Sequence, residues 1–427
     1  MKFNKWTVGL AALGVVSLAS AARADEKMSQ VQTALSNTTL SGYVDVSAQW
    51  NLGQQNGLYG ILGNTPRYAY GGINKADGFN LNAVNLALDK PQDESPWAAG
   101  YHVELVAGPD NPTRLNLGTV GAGDVNVNTG PIVSQVSSPL VGLRQAYITL
   151  RTPVGNGIDW KLGVFDTIIG YESTSSPLNP NYTRSYGYSI EPTTHTGLLA
   201  SYKVGDVLTI TGGVADGSNI GTLVQPINGR AAYETQKAYM GAIALTAPDS
   251  WGAMKGATLN LGVINSVDSN FYPGVGVAAL GVPITGLNTF GTTSLYAGMV
   301  FPTSNSALKF GASFDYVELH NKSAVNPGCD STWNVAVYGN LQATDKLSFN
   351  ARAEYLDDGD AGLIYGTQAE EVTLTARYDL WANVVSRVEF RWDHVEHGSA
   401  FNQTTHDSFG PNMSNAFMLA FNVIYQF

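Results

Sequence analysis

Charged side chains at every second position are the residues of this sequence most suited to chemistry. The stretch RVEFRWD, from Arg387 to Asp393, alternates charged residues with Val388, Phe390 and Trp392. A period of two places the charges on one face of a β-strand and the apolar side chains on the other. Such a charged face either meets bulk water outside a soluble protein or surrounds water inside a hollow one, where it sets an electric field.

On neighbouring predicted strands the charged residues again occupy every second position, and together they define a candidate charged wall. The arginines can face acidic groups across a water-filled space, or they can pair with the carboxylates beside them and leave the wall nearly neutral. Both readings are open from the sequence. The wall comprises Arg352, Glu354, Arg377, Arg387, Glu389, Arg391 and Asp393.

Other reactive residue types give weak signals. DHVEH, from Asp393 to His397, lacks the spacing of a metalloprotease helix. Asp, Ser and His occur without a local hydrolase signature, so we expect no enzyme activity. Cys329 is the single cysteine; it forms no internal disulfide or Cys-based motif, and we expect it to be inert in an external loop without a basic neighbour. We therefore expect neither a metal nor a cofactor.

The N-terminus predicts that the chain is exported, and the composition limits the class of protein. Residues 1–24 carry a basic start, a short apolar stretch and the small-x-small sequence ARA at Ala22–Ala24, the layout of a Sec signal peptide; a membrane anchor is the alternative. The net charge is −11, which argues against nucleic-acid binding. Charged residues are only 13% of the chain and aromatic residues 10%, a balance that fits either a large β-protein or a membrane β-barrel.

Alternation recurs along the chain and predicts about sixteen strands. Within most of them every charge falls on one parity. Arg144 departs from its strand's parity, and we expect it to reach the membrane interface from a strand end. The registers of 80–89 and 236–246 are ambiguous. The predicted strands are 41–50, 79–89, 98–107, 142–151, 158–165, 195–204, 207–215, 236–246, 257–265, 292–301, 308–317, 332–342, 346–356, 370–379, 385–394 and 415–427.

Link lengths decide between a soluble and a membrane protein. Links after even-numbered strands are short, whereas links after most odd-numbered strands are long. Short periplasmic turns and long external loops are typical of outer-membrane barrels. We therefore predict an all-β fold, a transmembrane antiparallel β-barrel over 40–427, preceded by a short periplasmic segment at 25–39.

The C-terminus fits a barrel that must close. NAFMLAFNVIYQF ends with apolar residues at every second position. An unpaired edge in lipid would leave backbone groups without partners, so the last strand must pair with the first. Tyr425 and Phe427 are the expected assembly signal, read by the barrel-assembly machinery.

Several stretches resemble the OmpL-like outer-membrane porins, also called putative β-barrel porin 2. The most distinctive is DTIIGYE followed by NPNYTRSYGYSIEPTTHTG; others are SGYVDVSAQW, GFNLNAVNLALDKP, LTAPDSWG and YDLWANVVSRVEFRWDH. The resemblance spreads over nearly the whole chain after residue 24. It implies a porin in the outer membrane of a Gram-negative cell, surrounded by lipid.

The loop at 166–194 is the candidate constriction, because sixteen-stranded porins fold a loop inward from this position. Prolines stiffen it, and tyrosines can pack on a wall while their hydroxyls face water; an ordinary surface loop is the alternative. Its candidate residues are Asp166, Tyr171, Glu172, Tyr182, Arg184, Tyr186, Tyr188 and Glu191.

The predicted function is passive diffusion of small hydrophilic solutes and ions through a water-filled barrel. The alternative is a structural or adhesive barrel with a plugged lumen and functional surface loops. A homotrimer is expected only by analogy with sixteen-stranded porins.

Overall fold

The fold was analysed on a computed structural model. It describes residues 37–52, 77–110, 141–218, 237–269, 290–303, 305, 307–321, 328–361, 363–398, 401–405 and 408–427. The predicted signal peptide at 1–24 and most of the segment 25–39 lie outside these residues and stay predictions.

Sixteen antiparallel strands close into a barrel, as the alternation predicted. Fifteen of them pair in sequence order, and the last strand, β18, pairs with both β15 and β1. β16 (Phe401–Thr405) and β17 (Ser408–Met413) form a separate hairpin in the link that precedes β18. The barrel strands are β1 (Thr39–Leu52), β2 (Gly78–Lys90), β3 (Ala99–Ala107), β4 (Val141–Thr152), β5 (Ile158–Asp166), β6 (Thr194–Val204), β7 (Leu208–Ala215), β8 (Ala238–Thr246), β9 (Thr258–Ser269), β10 (Phe290–Pro302), β11 (Leu308–Asn321), β12 (Gly328–Gln342), β13 (Leu347–Asp357), β14 (Ala369–Trp381), β15 (Val384–Val395) and β18 (Asn415–Gln426).

The C-terminal strand closes the barrel. β1 pairs with β18 from Tyr43 opposite Gln426 to Leu52 opposite Phe417. One residue further, the backbone N–H groups of Gly42 and Phe427 each donate to the other's carbonyl oxygen at 3.0 Å. The terminal residue is therefore part of the ladder, which explains why the apolar alternation runs to the last position.

The two faces of each strand separate by polarity. On the outer face Leu374 is 53% exposed and Phe390 is 38% exposed, although both are large apolar residues. On the inner face of the same strands Thr373 and Glu389 are fully buried. Exposed apolar side chains around a polar interior are the pattern of a barrel surrounded by lipid.

β-Bulges explain two departures from the expected alternation. The pairing of β3 with β4 shifts beside Arg144, so both Arg144 and Gln145 lie buried on the inner face. The expectation that Arg144 reaches the membrane interface is therefore wrong. A similar shift in the pairing of β1 with β2 buries both Asn82 and Ala83, which is why the register of 80–89 was ambiguous.

Cys329, which was predicted in a loop, lies in a strand. Cys329 belongs to β12 and is directly opposite His320 of β11, so the expectation of an external loop without a basic neighbour is wrong. The strands at this end of the barrel extend several residues beyond the apolar alternation from which they were predicted.

Turns and short helices connect several of the described strands. The links after β2, β4, β6, β8, β10, β12 and β14 are short, as predicted, and a 3-10 helix at Asp249–Met254 lies in one of them. A further 3-10 helix (Ser176–Leu178) and α1 (Tyr186–Ile190) lie between β5 and β6. Within the described part of the chain, no helix has the length and apolar character needed to cross a membrane.

The barrel makes a depth-dependent prediction about its outer face. Leu374 lies near the middle of β14, so Leu374→Arg should lower the free energy of unfolding by about 2–4 kcal/mol. Val204→Arg, at the periplasmic end of β6, should lower it by only about 0–1 kcal/mol. Urea unfolding in lipid vesicles measures both values. Equal effects would show that the outer face does not contact hydrocarbon.

Candidate functional site

The link between β5 and β6, residues 167–193, lies inside the barrel; we call it the lumen loop. Its neck is closed by a hydrogen bond from the Thr167 backbone N–H to the Thr193 carbonyl oxygen at 2.9 Å. Beyond the neck, Tyr182, Tyr186 and Tyr188 are at most 4% exposed, although none lies in a strand. The loop contacts inward-facing side chains of strands on the opposite side of the barrel.

Local hydrogen bonds shape the lumen loop. The Asn179 side chain accepts from the Ser173 backbone N–H at 2.8 Å and donates to the Ser173 carbonyl oxygen at 2.7 Å, which closes a tight turn. The Ser185 hydroxyl caps α1 by accepting from the Tyr188 backbone N–H at 3.0 Å. Gly187 lets α1 approach β11, because a Cβ there would overlap the Asp315 carboxylate.

Arg387 of β15 holds the middle of the loop. Its guanidinium donates to the carbonyl oxygens of Asn181 at 2.7 Å, Asn179 at 3.0 Å and Ser176 at 3.3 Å. It also donates to the Asn422 side chain of β18 at 2.8 Å. One side chain thus supplies donors to three loop carbonyl groups that have no strand partner, a task that suits the five N–H groups of arginine.

Arg352 of β13 holds the next part of the loop. It donates to the Thr183 carbonyl oxygen at 3.0 Å and to the Arg184 carbonyl oxygen at 3.2 Å. It also binds Glu172 of the loop at 2.8 Å and Glu371 of β14 at 3.1 Å. The loop therefore brings its own carboxylate into direct contact with this arginine, rather than facing it across open water.

Arg391 of β15 and α1 form the third attachment. Arg391 donates to the Arg184 carbonyl oxygen at 2.7 Å and binds Asp393 at 2.7 Å. Tyr186 donates its hydroxyl to the same Asp393 at 2.7 Å, and its backbone N–H donates to Glu354 at 2.8 Å. The Arg391 guanidinium lies 5.4 Å from the centre of the Tyr186 ring, within the range of a cation–π contact.

A carboxylate completes the set of attachments. Glu389 of β15 accepts from the backbone N–H groups of Tyr182, at 2.5 Å, and Thr183, at 2.8 Å. The Tyr182 hydroxyl reaches β1, where it lies 2.9 Å from Ser47 and 3.1 Å from Gln49. The loop thus crosses from β5 to the inner face of β12–β15 and β1.

The wall residues occupy the inner face, but most of them lie under the loop. Arg352, Arg387 and Arg391 are at most 1% exposed, so they do not line open water as the sequence suggested. Their partners are neighbouring carboxylates and loop backbone groups, so the structure favours the neutralised reading. The Arg377 side chain is 27% exposed; it lies 3.5 Å from Asp379 and 3.4 Å from the Pro177 carbonyl oxygen.

Sequence reasoning missed several residues that hold the loop. Glu371 and Asp45 share the inward parity of their strands, so alternation could have identified them. Ser176 and Asn179 contribute mainly through backbone groups, which sequence patterns do not report. Arg144, which faces the interior of the barrel, binds Glu104 of β3 and binds Asp166 at the loop neck at 2.6 Å.

The other side of the loop carries acidic and aromatic groups. Burial raises the pKa of Glu191 well above its usual range, and the Asp315 carboxyl beside it acts in the same direction. Tyr171 stacks on Tyr338 of β12 with ring centres 3.9 Å apart, and burial raises the pKa of Tyr171 to about 12. Arg184 lies 5.6 Å from the ring centre of Tyr188.

A cavity of about 630 Å³ lies beside the loop, against β2–β10, in the periplasmic half of the barrel. We call it the vestibule. Its roof includes Asp166 and the loop residues Thr167–Gly170. Its wall carries charges of both signs: Lys161, Asp89 and Asp159. Lys161 lies 4.9 Å from the centre of the Tyr147 ring.

The attachments predict how the loop is released. In Arg391→Gln, Asp393 and Glu371 lose a buried counter-charge, so the free energy of unfolding should fall by about 3–5 kcal/mol. Trypsin should then cleave after Arg184, which is 4% exposed in the native barrel. Urea unfolding and limited proteolysis measure the two effects.

The matched control is Arg377→Gln, whose half-exposed ion pair should contribute less than about 1 kcal/mol. Resistance of Arg391→Gln to trypsin, at the level of the native chain, would contradict the role of Arg391 in holding the loop.

Comparison with known proteins agrees with this architecture. No curated protein sequence matches the chain. Similar solved structures include the outer-membrane channel DcaP of Acinetobacter baumannii, with 12% identity, a TM-score of 0.54 and coverage of 91% of this chain and 97% of that chain. The anion-selective porin from Comamonas acidovorans is 10% identical, with a TM-score of 0.54 and coverage of 91% of this chain and 99% of that chain. The trimer form of OmpT from Vibrio cholerae is 12% identical, with a TM-score of 0.54 and coverage of 91% of this chain and 99% of that chain.

These structural similarities show the fold, and the sequence gives the family. The family described as "Putative beta-barrel porin-2, OmpL-like" matches residues 37–427, which is nearly all of the chain. The inward loop, the closed barrel of sixteen strands and this match lead to one conclusion: the chain belongs to the OmpL-like β-barrel porins and is an outer-membrane porin.

Proposed function

We propose that this porin allows passive diffusion of small hydrophilic solutes and ions through a water-filled passage beside the lumen loop. The observation that carries the proposal is the uneven attachment of the loop. Most of its hydrogen bonds to the wall run to β12–β15 and β1, although Tyr182 and Thr174 also bond Asn82 of β2 and Arg144 of β4. The vestibule lies against β2–β10. A loop fastened mainly to one wall narrows the lumen and leaves space for solvent on the other side.

The vestibule has the chemistry of a weakly selective passage. Arg151 binds Asp159 at 2.7 Å, and His102 lies 3.0 Å from Asp89, so several wall charges are already paired. Lys161 contacts an aromatic ring and supplies a positive charge at the wall. Paired charges orient polar solutes without holding them tightly, which favours diffusion of many small hydrophilic molecules.

The lumen loop is the proposed constriction. Its far segment, with Glu172, Tyr182 and Tyr186, attaches the loop to the wall; its near segment and Asp166 border the vestibule. The residues that face the passing solute are therefore at the neck of the loop and on β2–β10, rather than the buried arginines. This moves the expected site of selectivity to the opposite side of the barrel.

A structural or adhesive barrel with a plugged lumen is the second candidate. The observation that favours it is the number of buried hydrogen bonds that fix the loop, since a plug would need the same attachments. The two candidates differ in one property: a plugged barrel conducts no ions, whereas a porin does.

Export and assembly follow from the outer-membrane location. We infer that residues 1–24 are removed after Sec export and that the C-terminal strand, with Tyr425 and Phe427, presents the assembly signal to the barrel-assembly machinery. The exposed apolar outer face supports lipid as its surroundings. The trimer form of OmpT supports a homotrimer for this chain. The fold supports a channel without enzyme activity.

The proposed path predicts the residue that sets ion selectivity. In Lys161→Glu the wall charge changes sign, so the cation-to-anion permeability ratio should rise by roughly twofold or more. Reversal potentials across planar bilayers under a salt gradient measure this ratio. Lys255→Glu is the matched control, because that side chain is 63% exposed in the link between β8 and β9 and is not among the residues that line the vestibule.

Two results would contradict the proposal. An unchanged reversal potential in Lys161→Glu would place the ion path elsewhere. Absence of any channel in the native protein, under conditions in which the barrel is folded and inserted, would favour the plugged alternative.

A further inference from the structure

Three metal-ligating side chains meet on the outer face of the barrel, at the extracellular end of β11 and β12. Glu318 and His320 are two residues apart on β11, so they share one face. The strand register places Cys329 of β12 directly opposite His320. We call Glu318, His320 and Cys329 the rim triad. The lumen and the vestibule do not include it.

The ligand atoms of the rim triad have the spacing of a zinc site. His320 Nδ1 lies 3.4 Å from Cys329 Sγ and 3.3 Å from Glu318 Oε1, and the three ligand atoms all lie within 4.8 Å of one another. In a tetrahedral site with Zn–S near 2.3 Å and Zn–N or Zn–O near 2.0–2.1 Å, adjacent ligand atoms are about 3.3–3.6 Å apart. The separations of His320 Nδ1 from Cys329 Sγ and from Glu318 Oε1 match this geometry.

Neighbouring side chains orient each ligand. His320 Nε2 lies 3.1 Å from the Thr293 hydroxyl of β10, which leaves the Nδ1 lone pair for a metal. The Tyr316 hydroxyl donates to Glu318 Oε2 at 3.1 Å and leaves Oε1 facing His320. Asn265 of β9 in turn donates to the Thr293 hydroxyl at 2.8 Å. Outer partners of this kind fix the ring orientation and the ligating atoms of metal sites.

The rim triad lies on the aqueous side of the membrane interface. Trp333 and Tyr355, with ring centres 5.5 Å apart, lie on the outer face, and Trp333 is opposite Tyr316. Aromatic residues of this kind mark the interface of outer-membrane barrels. Glu318 and His320 are two and four residues beyond Tyr316 in the extracellular direction. Cys329 is exposed, so a metal ion can reach the triad from outside.

We propose that the rim triad binds Zn²⁺ from the external medium. The Cys329 thiolate, His320 Nδ1 and the Glu318 carboxylate are the three protein ligands, and water occupies the fourth position. Binding releases the thiol proton to solvent, because only the thiolate ligates zinc. The ion joins the extracellular ends of β11 and β12. The sequence did not reveal this site, because Cys329 and His320 come together only through strand pairing.

The first test uses the single cysteine as a reporter. In the folded full-length protein, Zn²⁺ should slow alkylation of Cys329 by a maleimide roughly tenfold or more, because a metal-bound thiolate is a poor nucleophile. Mg²⁺ should give no protection, since it prefers oxygen ligands. His320→Asn should abolish the protection by Zn²⁺. The matched control His397→Asn changes an exposed histidine that follows β15, and it should retain the protection of Cys329 by Zn²⁺.

The second test identifies the ligands directly. Co²⁺ in place of Zn²⁺ should give a thiolate-to-metal charge-transfer band that Cys329→Ser removes. Thr293→Val should weaken Zn²⁺ affinity about 10–100-fold while the three ligands remain. The proposal is overturned if Zn²⁺ does not protect Cys329, if protection persists in His320→Asn, or if the Co²⁺ complex shows no thiolate band.

Discussion

Pairing of every backbone polar group within the hydrocarbon layer is the constraint on which this structure depends. A strand in lipid cannot leave an edge open, so β18 pairs with β1 and the apolar alternation continues to Phe427. Closure makes an interior, and the interior must be filled or hydrated. A loop of 167–193 that enters it has few strand partners for its own carbonyl groups. Arginines on the wall supply the donors.

Those arginines carry charge into a buried space, and the structure balances them locally. Arg352 has Glu172, Glu354 and Glu371 within salt-bridge distance, and Arg391 has Asp393 and Glu371. These guanidinium groups donate hydrogen bonds to the loop carbonyl oxygens, and the carboxylates beside them balance their charge. The consequence for function is a division of the lumen: one side is occupied by the loop and its attachments, and the other holds the vestibule.

The fold could be predicted from the sequence because contact with lipid on one face makes apolar and polar residues alternate along each strand. Charges such as Glu389 and Arg391 share one parity and all lie inward, as predicted. Parity failed where a bulge inserts one residue, as at Arg144, and at the strand ends beyond the apolar band, as at Cys329. It could assign a side chain to the inner face but could not say what covers that face. The burial of Arg352 under the loop, and the meeting of His320 with Cys329, depend on tertiary contacts that spacing along the chain does not encode.

The most direct test is the single-channel conductance of a barrel whose lumen loop is shortened. The neck residues Thr167 and Thr193 are hydrogen-bonded at 2.9 Å, so a short glycine–serine turn can replace residues 172–189 without stretching the barrel. The native protein should conduct ions. The shortened variant, once shown to be folded, should have a single-channel conductance higher than that of the native protein by roughly twofold or more. Equal conductance in the two proteins would contradict a passage narrowed by this loop.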